Sequence, residues 1–219
     1  MSQAIIFDVE ATDKNDAVII EAASLDVTSL NPFEVGNPWV QRYNPGKPIS
    51  LGALATHHIM DEELVNCPAS SSFRLPAGTK YLIGHNIDFD WVAIGSPEVK
   101  RICTLALARS LWPELDSHTQ SALLYYFERD TAREQLRNAH SALADVWICS
   151  KIVAQIIDKL HPMSLDALWE MSEKARIPTV MPYGKHKGEL ISEVPSDYKQ
   201  WLLRQDNVSG YLRKALEAK

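Results

Sequence analysis

IIFDVEAT, residues 5–12, reads as an apolar strand that ends in two carboxylates. Residues two apart in a strand face the same side. Asp8 and Glu10 therefore project together from the strand's end. Two adjacent carboxylates are costly unless water solvates them or a cation neutralises them. The pair is either a solvated strand edge or a set of hard oxygen ligands suited to Mg²⁺ or Mn²⁺.

Residues 17–28 (AVIIEAASLDVT) form a second apolar stretch, interrupted by Glu21. Asn31-Pro32 marks a turn, a third strand-like segment ends near Tyr43, and Asn44-Pro45-Gly46 closes it. Three strands joined by short turns predict an antiparallel meander. Ser50 then caps a short helix through Ala55 and Asp61 caps another. Residues 66–79 read as a Pro-, Ser- and Gly-containing loop, and KYLIG (80–84) as a strand leading to a helix near Asp88. A strand over 100–104, helices over 105–111 and 119–128, and a mostly apolar, buried helix over 141–158 follow. A meander followed by strand–helix alternation predicts an α/β fold, a mixed sheet flanked by helices. Beyond His161-Pro162, Ser164 caps a helix to about Arg176, YGKHKGE (183–189) is a basic turn, and Pro195-Ser196 opens another helix. On this reading residues 1–158 form a core domain and residues 159–219 a small C-terminal module.

Two later motifs join the first. In LIGHNIDFD (82–90), Asp90 sits just past the carboxyl end of a strand, where open α/β sheets gather ligands. Asp88 or Asp90 equally reads as a helix N-cap. In NAHSALAD (138–145), His140 and Asp145 are five residues apart, about 140° on a helical wheel. They work together only if His140 lies in the lead-in and Asp145 rides the helix, where an apolar setting makes its charge expensive. Together the five residues suit a nuclease in which two divalent ions drive an in-line phosphoryl displacement. Asp8, Glu10 and Asp145 would hold the ions with Asp90 assisting, and His140 would be the general base.

The bulk composition narrows the class. With 219 residues, 46% hydrophobic and 23% charged, the chain has enough apolar material for a packed domain with an appendage. Its net charge of −6 argues against a protein that coats nucleic acid by long-range attraction, though not against an enzyme whose acidic centre binds cations. The three cysteines, Cys67, Cys103 and Cys149, suggest neither a disulfide framework nor a zinc site and fit a reduced, cytoplasmic setting. No apolar run is long enough to span a membrane, and MSQAIIF shows no signal-peptide pattern.

The order and flanks of these motifs resemble the DEDDh branch of the proofreading-type 3′→5′ exonucleases. That family shows D-x-E-T-T, then H-N-x-x-F-D, then H-x-x-x-x-D. This chain offers Asp8-Val9-Glu10-Ala11-Thr12, then His85-Asn86-Ile87-Asp88-Phe89-Asp90, then His140 to Asp145. IIEAAS (19–24), ALATHHI (53–59) and ICTLALAR (102–109) resemble further landmarks of the family. The resemblance implies a ribonuclease H-like fold over about residues 3–158, two Mg²⁺ or Mn²⁺ ions, and a nucleic acid with a free 3′ end as substrate. It also places Ala11, Thr12, His57, Asn86 and Phe89 around the terminal nucleotide. Ala11 stands where Thr is usual, and residues 66–79 are shorter than in many relatives. MPYGKHKGELISEVPSDYKQWLL (181–203) resembles the tail of the bacterial exonuclease X enzymes, which favours DNA, single-stranded above all, over RNA. Lys185 and Lys187, beside Tyr198 and Trp201, are candidates for nucleic-acid contact; the alternative is a docking module whose Trp201 packs on its own turn. Relatives of this kind often form homodimers, but the sequence marks no interface for one, and no polymerase-binding motif stands out. A trimming exoribonuclease, a small-molecule phosphodiesterase and a silent nucleic-acid-binding scaffold are the competing readings.

Overall fold

Three antiparallel strands, β1 (Ala4–Ala11), β2 (Ile19–Leu30) and β3 (Phe33–Arg42), open the computed structural model, which describes residues 3–138 and 141–218. Two short helices, α1 (Leu51–His57) and α2 (Asp61–Leu64), lead to β4 (Tyr81–Gly84), α3 (Asp88–Ala93) and β5 (Lys100–Cys103). Both later strands run parallel, β4 against β1 and β5 against β4, so the sheet is mixed in the order β3-β2-β1-β4-β5. Then come α4 (Thr104–Leu111), α5 (Gln120–Phe127), α6 (Arg129–Gln135), α7 (Ala142–Leu160), α8 (Leu165–Ala175), α9 (Ser196–Leu203) and α10 (Gly210–Glu217).

Strand alternation divides the sheet into two dry faces. Ala4, Ile6, Ala23, Leu25, Tyr81 and Ile83 share a core with Val146, Cys149, Ile152, Val153 and Ile156 of α7. Ile5, Phe7, Val9, Ala22 and Leu82 share another with Tyr43, Phe73 and Ile87. Asp8 and Glu10 have the parity of Ile6, so β1 aims them at the α7 side.

α8 belongs to the main body. Leu168 lies in the α7-side core and Ser172 Oγ accepts the Cys103 amide at 2.8 Å. A separate small core forms only from Met181 onward, with Ile191, Val194, Leu202, Leu212 and Leu216. Ser50 and Ser164 cap α1 and α8 as their positions suggest. Asp61 does not cap: Met60 takes that place, and the Asp61 carboxylate accepts the Ile49 amide at 3.1 Å. Within the loop over 66–79, Ser70–Ser72 make one 3₁₀ turn. The helices α6 and α10 go beyond the sequence expectation. Among the described residues no helix is long and apolar enough to cross a membrane.

Candidate active site

The two ends that matter meet at the top of β1. The β1–β2 register shifts between Glu10 and Ala11, a bulge that ends regular pairing just where the carboxylates emerge. Opposite them, Ser141 caps α7 by accepting the Ala144 amide, and Asp145 rides the first turn. Ligand oxygens of Asp8, Glu10 and Asp145 all lie within 4.8 Å of one another, and each residue is half-buried.

Asp90 approaches from the other side of β1. It is buried in α3, and its Oδ1 accepts the Val9 amide at 2.9 Å, the backbone link between Asp8 and Glu10. Neither Asp88 nor Asp90 is the N-cap of α3; Ile87 is. Asp88 instead pairs with Arg101 and Arg176.

Crowding shows in the proton affinities. Burial pushes the Asp8 carboxyl well above the usual range, and Asp90, Asp145, Glu10 and Glu21 push it further. Burial, then Asp145 and Glu21, raise Glu10 to about 8. Asp90 rises to about 7 through burial, with the Val9 amide opposing. Three converging hard oxygen donors that repel one another as anions fit a divalent cation, whose charge would reverse that penalty.

In the sequence Glu21 reads as a mere interruption in a strand. It stands directly opposite Glu10 in the ladder and is buried. Its Oε1 accepts Arg42 Nε at 3.0 Å and its Oε2 accepts the Ala142 amide at 3.0 Å. Arg42 continues to Glu63 at 2.7 Å. Glu21 thus fastens the first residue of α7 to the sheet. The available signal was a charge inside an apolar strand, which demands partners.

The residues expected around a terminal nucleotide are distributed as follows. Ala11 and Thr12 are buried at the end of β1, and the Thr12 carbonyl accepts the Ser50 amide at 2.9 Å, drawing the start of α1 to the strand end. His57 ends α1. It is buried, its Nδ1 accepts the Ile59 amide at 3.0 Å, and its Nε2 has no hydrogen-bond partner among the described residues. Asn86 is exposed in the turn between β4 and α3 with φ of 67°, and Phe89 packs half-buried on the β1 face opposite α7. His85, in the same motif, is a structural tie between Thr104 Oγ1 and the His118 carbonyl; burial lowers it to about 4, so it stays neutral. His140 lies outside the described residues. Lys185 and Lys187 are exposed on the C-terminal module.

A mixed sheet whose first strand, fourth-strand turn and long helix bring carboxylates together defines a ribonuclease H-like fold. Over 205 residues the chain is 26% identical to exodeoxyribonuclease 10 of Escherichia coli, covering 91% of this chain and 90% of that one. It is 27% identical over 173 residues to the DNA polymerase III epsilon subunit of Buchnera aphidicola, covering 68% and 70%. Among solved structures it resembles exonuclease X in complex with 5′ overhanging duplex DNA, with a TM-score of 0.64 and 25% identity over 77% of this chain and 99% of that one. Escherichia coli exonuclease I shares the fold at a TM-score of 0.57 and 16% identity, over 83% of this chain and 46% of that one. Residues 173–218 match the family described as "Putative quorum-sensing-regulated virulence factor". These similarities are to 3′→5′ exonucleases of the DEDD type, and Asp8, Glu10, Asp90 and Asp145 stand in this chain in the order of that motif.

Proposed function

We propose that this chain is a divalent-cation-dependent 3′→5′ exodeoxyribonuclease that releases nucleoside 5′-monophosphates from single-stranded 3′ ends of DNA. The observation that carries the reading is the meeting of Asp8, Glu10 and Asp145 oxygens within 4.8 Å, behind a strand that Asp90 braces. The similarity to an exodeoxyribonuclease along most of both chains supports it.

In this reading Asp8, Glu10 and Asp145 hold two Mg²⁺ or Mn²⁺ ions, with Asp90 assisting. When bound, the cations supply the positive charge that stabilises the phosphoryl oxygens through an in-line displacement. His140 takes the proton of the attacking water as its oxygen bonds to phosphorus and the bond to the 3′ oxygen breaks. Ala11 and Thr12 offer the strand-end backbone to the terminal nucleotide, Phe89 and Asn86 flank it, and His57 lines the same end. The free thiols of Cys67, Cys103 and Cys149 suit a reducing cytoplasm.

The test is hydrolysis of 3′- and 5′-labelled single-stranded DNA, with matched RNA, in Mg²⁺, Mn²⁺ or chelator. Cation-dependent mononucleotide release from the 3′ end, faster on DNA, is expected. Preference for RNA would move the reading to a trimming exoribonuclease. Absence of cleavage by folded protein would overturn it.

A further inference from the structure

The module beyond α8 closes around its own small core, yet leaves one corner undressed. Its basic turn is pinned from beneath by Tyr198 of α9. The Lys185 amide donates to Tyr198 Oη at 3.3 Å, and Gly184, at φ of 81°, lies so close that a β-carbon there would sit 2.6 Å from that oxygen. His186 packs edge-on against Tyr198 with centroids 4.6 Å apart, and its Nδ1 meets Glu189 at 2.8 Å. Tyr198 in turn lies 5.4 Å from the ring of Trp201. Tyr198, not Trp201, is therefore the residue that seats the turn.

Trp201 remains 52% exposed. Lys185 and Lys187 are exposed, and neither has an ion-pair partner among the described residues; the acidic member of the turn, Glu189, is engaged by His186. An indole face next to Tyr198, the residue that seats the lysine-bearing turn, matches a polyanion with flat, stackable rings.

This corner is not on a loose tether. Arg176, its side chain 4% exposed, donates to both Asp88 oxygens at 2.9 and 3.1 Å and to Tyr211 of α10 at 2.9 Å. Tyr211 passes its own hydrogen to Glu173 at 2.8 Å. Asp88 belongs to α3, the helix that carries Asp90, so one buried guanidinium joins the module to the candidate active site.

We propose that Lys185, Lys187 and Trp201 form a docking surface for the single-stranded nucleic acid that trails behind the 3′ end being degraded, the indole stacking on a base and the lysines meeting phosphates. The proposal rests on the exonuclease reading and adds a second, fixed contact for the same strand. A fixed contact implies a length threshold: oligomers too short to reach it gain nothing.

The experiment is fluorescence anisotropy of the full chain with fluorescein-labelled oligothymidylates of about three and about thirty nucleotides in EDTA. Wild type is compared with Trp201→Ala and with Lys185→Ala/Lys187→Ala. Each variant is expected to bind the long oligomer about tenfold more weakly and the short one as wild type does. The double lysine variant is also expected to lower the slope of log Kd against log salt by about 1.4. Hydrolysis of the short oligomer should be unchanged. Wild-type affinity and salt slope for the long oligomer in the lysine variant would overturn the proposal and leave the corner to a protein partner. Equal loss on both oligomers would overturn it as well. A wild type that cleaves nothing would fell the exonuclease reading alone, because the anisotropy still decides this surface.

Discussion

Asp8 has its charge opposed from four directions, by Asp90, Asp145, Glu10 and Glu21, and by burial most of all. Its amide analogue therefore has two effects of opposite sign. Asp8→Asn should cut cation-dependent cleavage on the order of a hundredfold or more, because a ligand is lost. It should also raise the melting temperature of the cation-free protein, because one repelled anion is gone. Activity near wild type would remove Asp8 from the site, and a lower cation-free melting temperature would refute the crowding. Glu21 acts through another element. Glu21→Ala strands the Ala142 amide without its acceptor, a loss of about 1–3 kcal/mol in stability. By loosening the start of α7 it should slow turnover about tenfold with KM little changed, and Glu21→Gln, which keeps one acceptor oxygen, should recover part of both. Wild-type kcat in Glu21→Ala would show that the tie does not matter. Asp8 and Glu10 were legible in sequence because their relationship is local, two residues along one strand. Glu21 was not, since its partners Arg42 and Ala142 lie 21 and 121 residues away.

Elements were legible wherever a period ran long enough to repeat. β1, β2 and α7 carry long, predominantly apolar patterns, and the sheet meander and the long helix follow from them. α6 (RDTAREQ) buries only Ala132, and α10 (GYLRKALE) faces only a small local core, so neither shows a face wide enough to read. The turn from β4 into α3 is fixed by a feature no periodicity reveals. A β-carbon on Gly84 would stand 2.9 Å from the Phe7 carbonyl and 2.6 Å from Ile87 Cδ1. Phe7 is central-strand backbone and Ile87 is wholly buried, so neither yields cheaply. Gly84→Ala should cost about 1–3 kcal/mol in a urea melt. It should also weaken Mg²⁺ activation, since α3 carries Asp90 against the Val9 amide. An unchanged midpoint would show that the turn tolerates the extra carbon.

At the scale of the whole molecule, the acidic cluster ties stability to both pH and cations. The Glu10 carboxyl titrates at about 8 in the folded chain against an ordinary value of 4.5, and Asp90 at about 7 against 3.8. Between those limits the folded state holds protons that the unfolded state has released. Stability therefore falls as pH rises through that window, the reverse of a carboxylate held by a salt bridge. In EDTA the melting temperature should be higher near pH 5.5 than near pH 8.5, since the first lies where the folded chain keeps its extra protons. A bound divalent cation favours the ionised carboxylates and must displace those protons, so its affinity rises with pH. Mg²⁺ should consequently raise the melting temperature more at the alkaline end, shrinking or inverting the EDTA trend. Melts at both pH values, with chelator and with Mg²⁺, decide the matter. A cation effect independent of pH would mean that Asp8, Glu10 and Asp145 do not meet the ion as a group. A cation-free chain that gains stability with rising pH would mean that their charges are already paired within the protein.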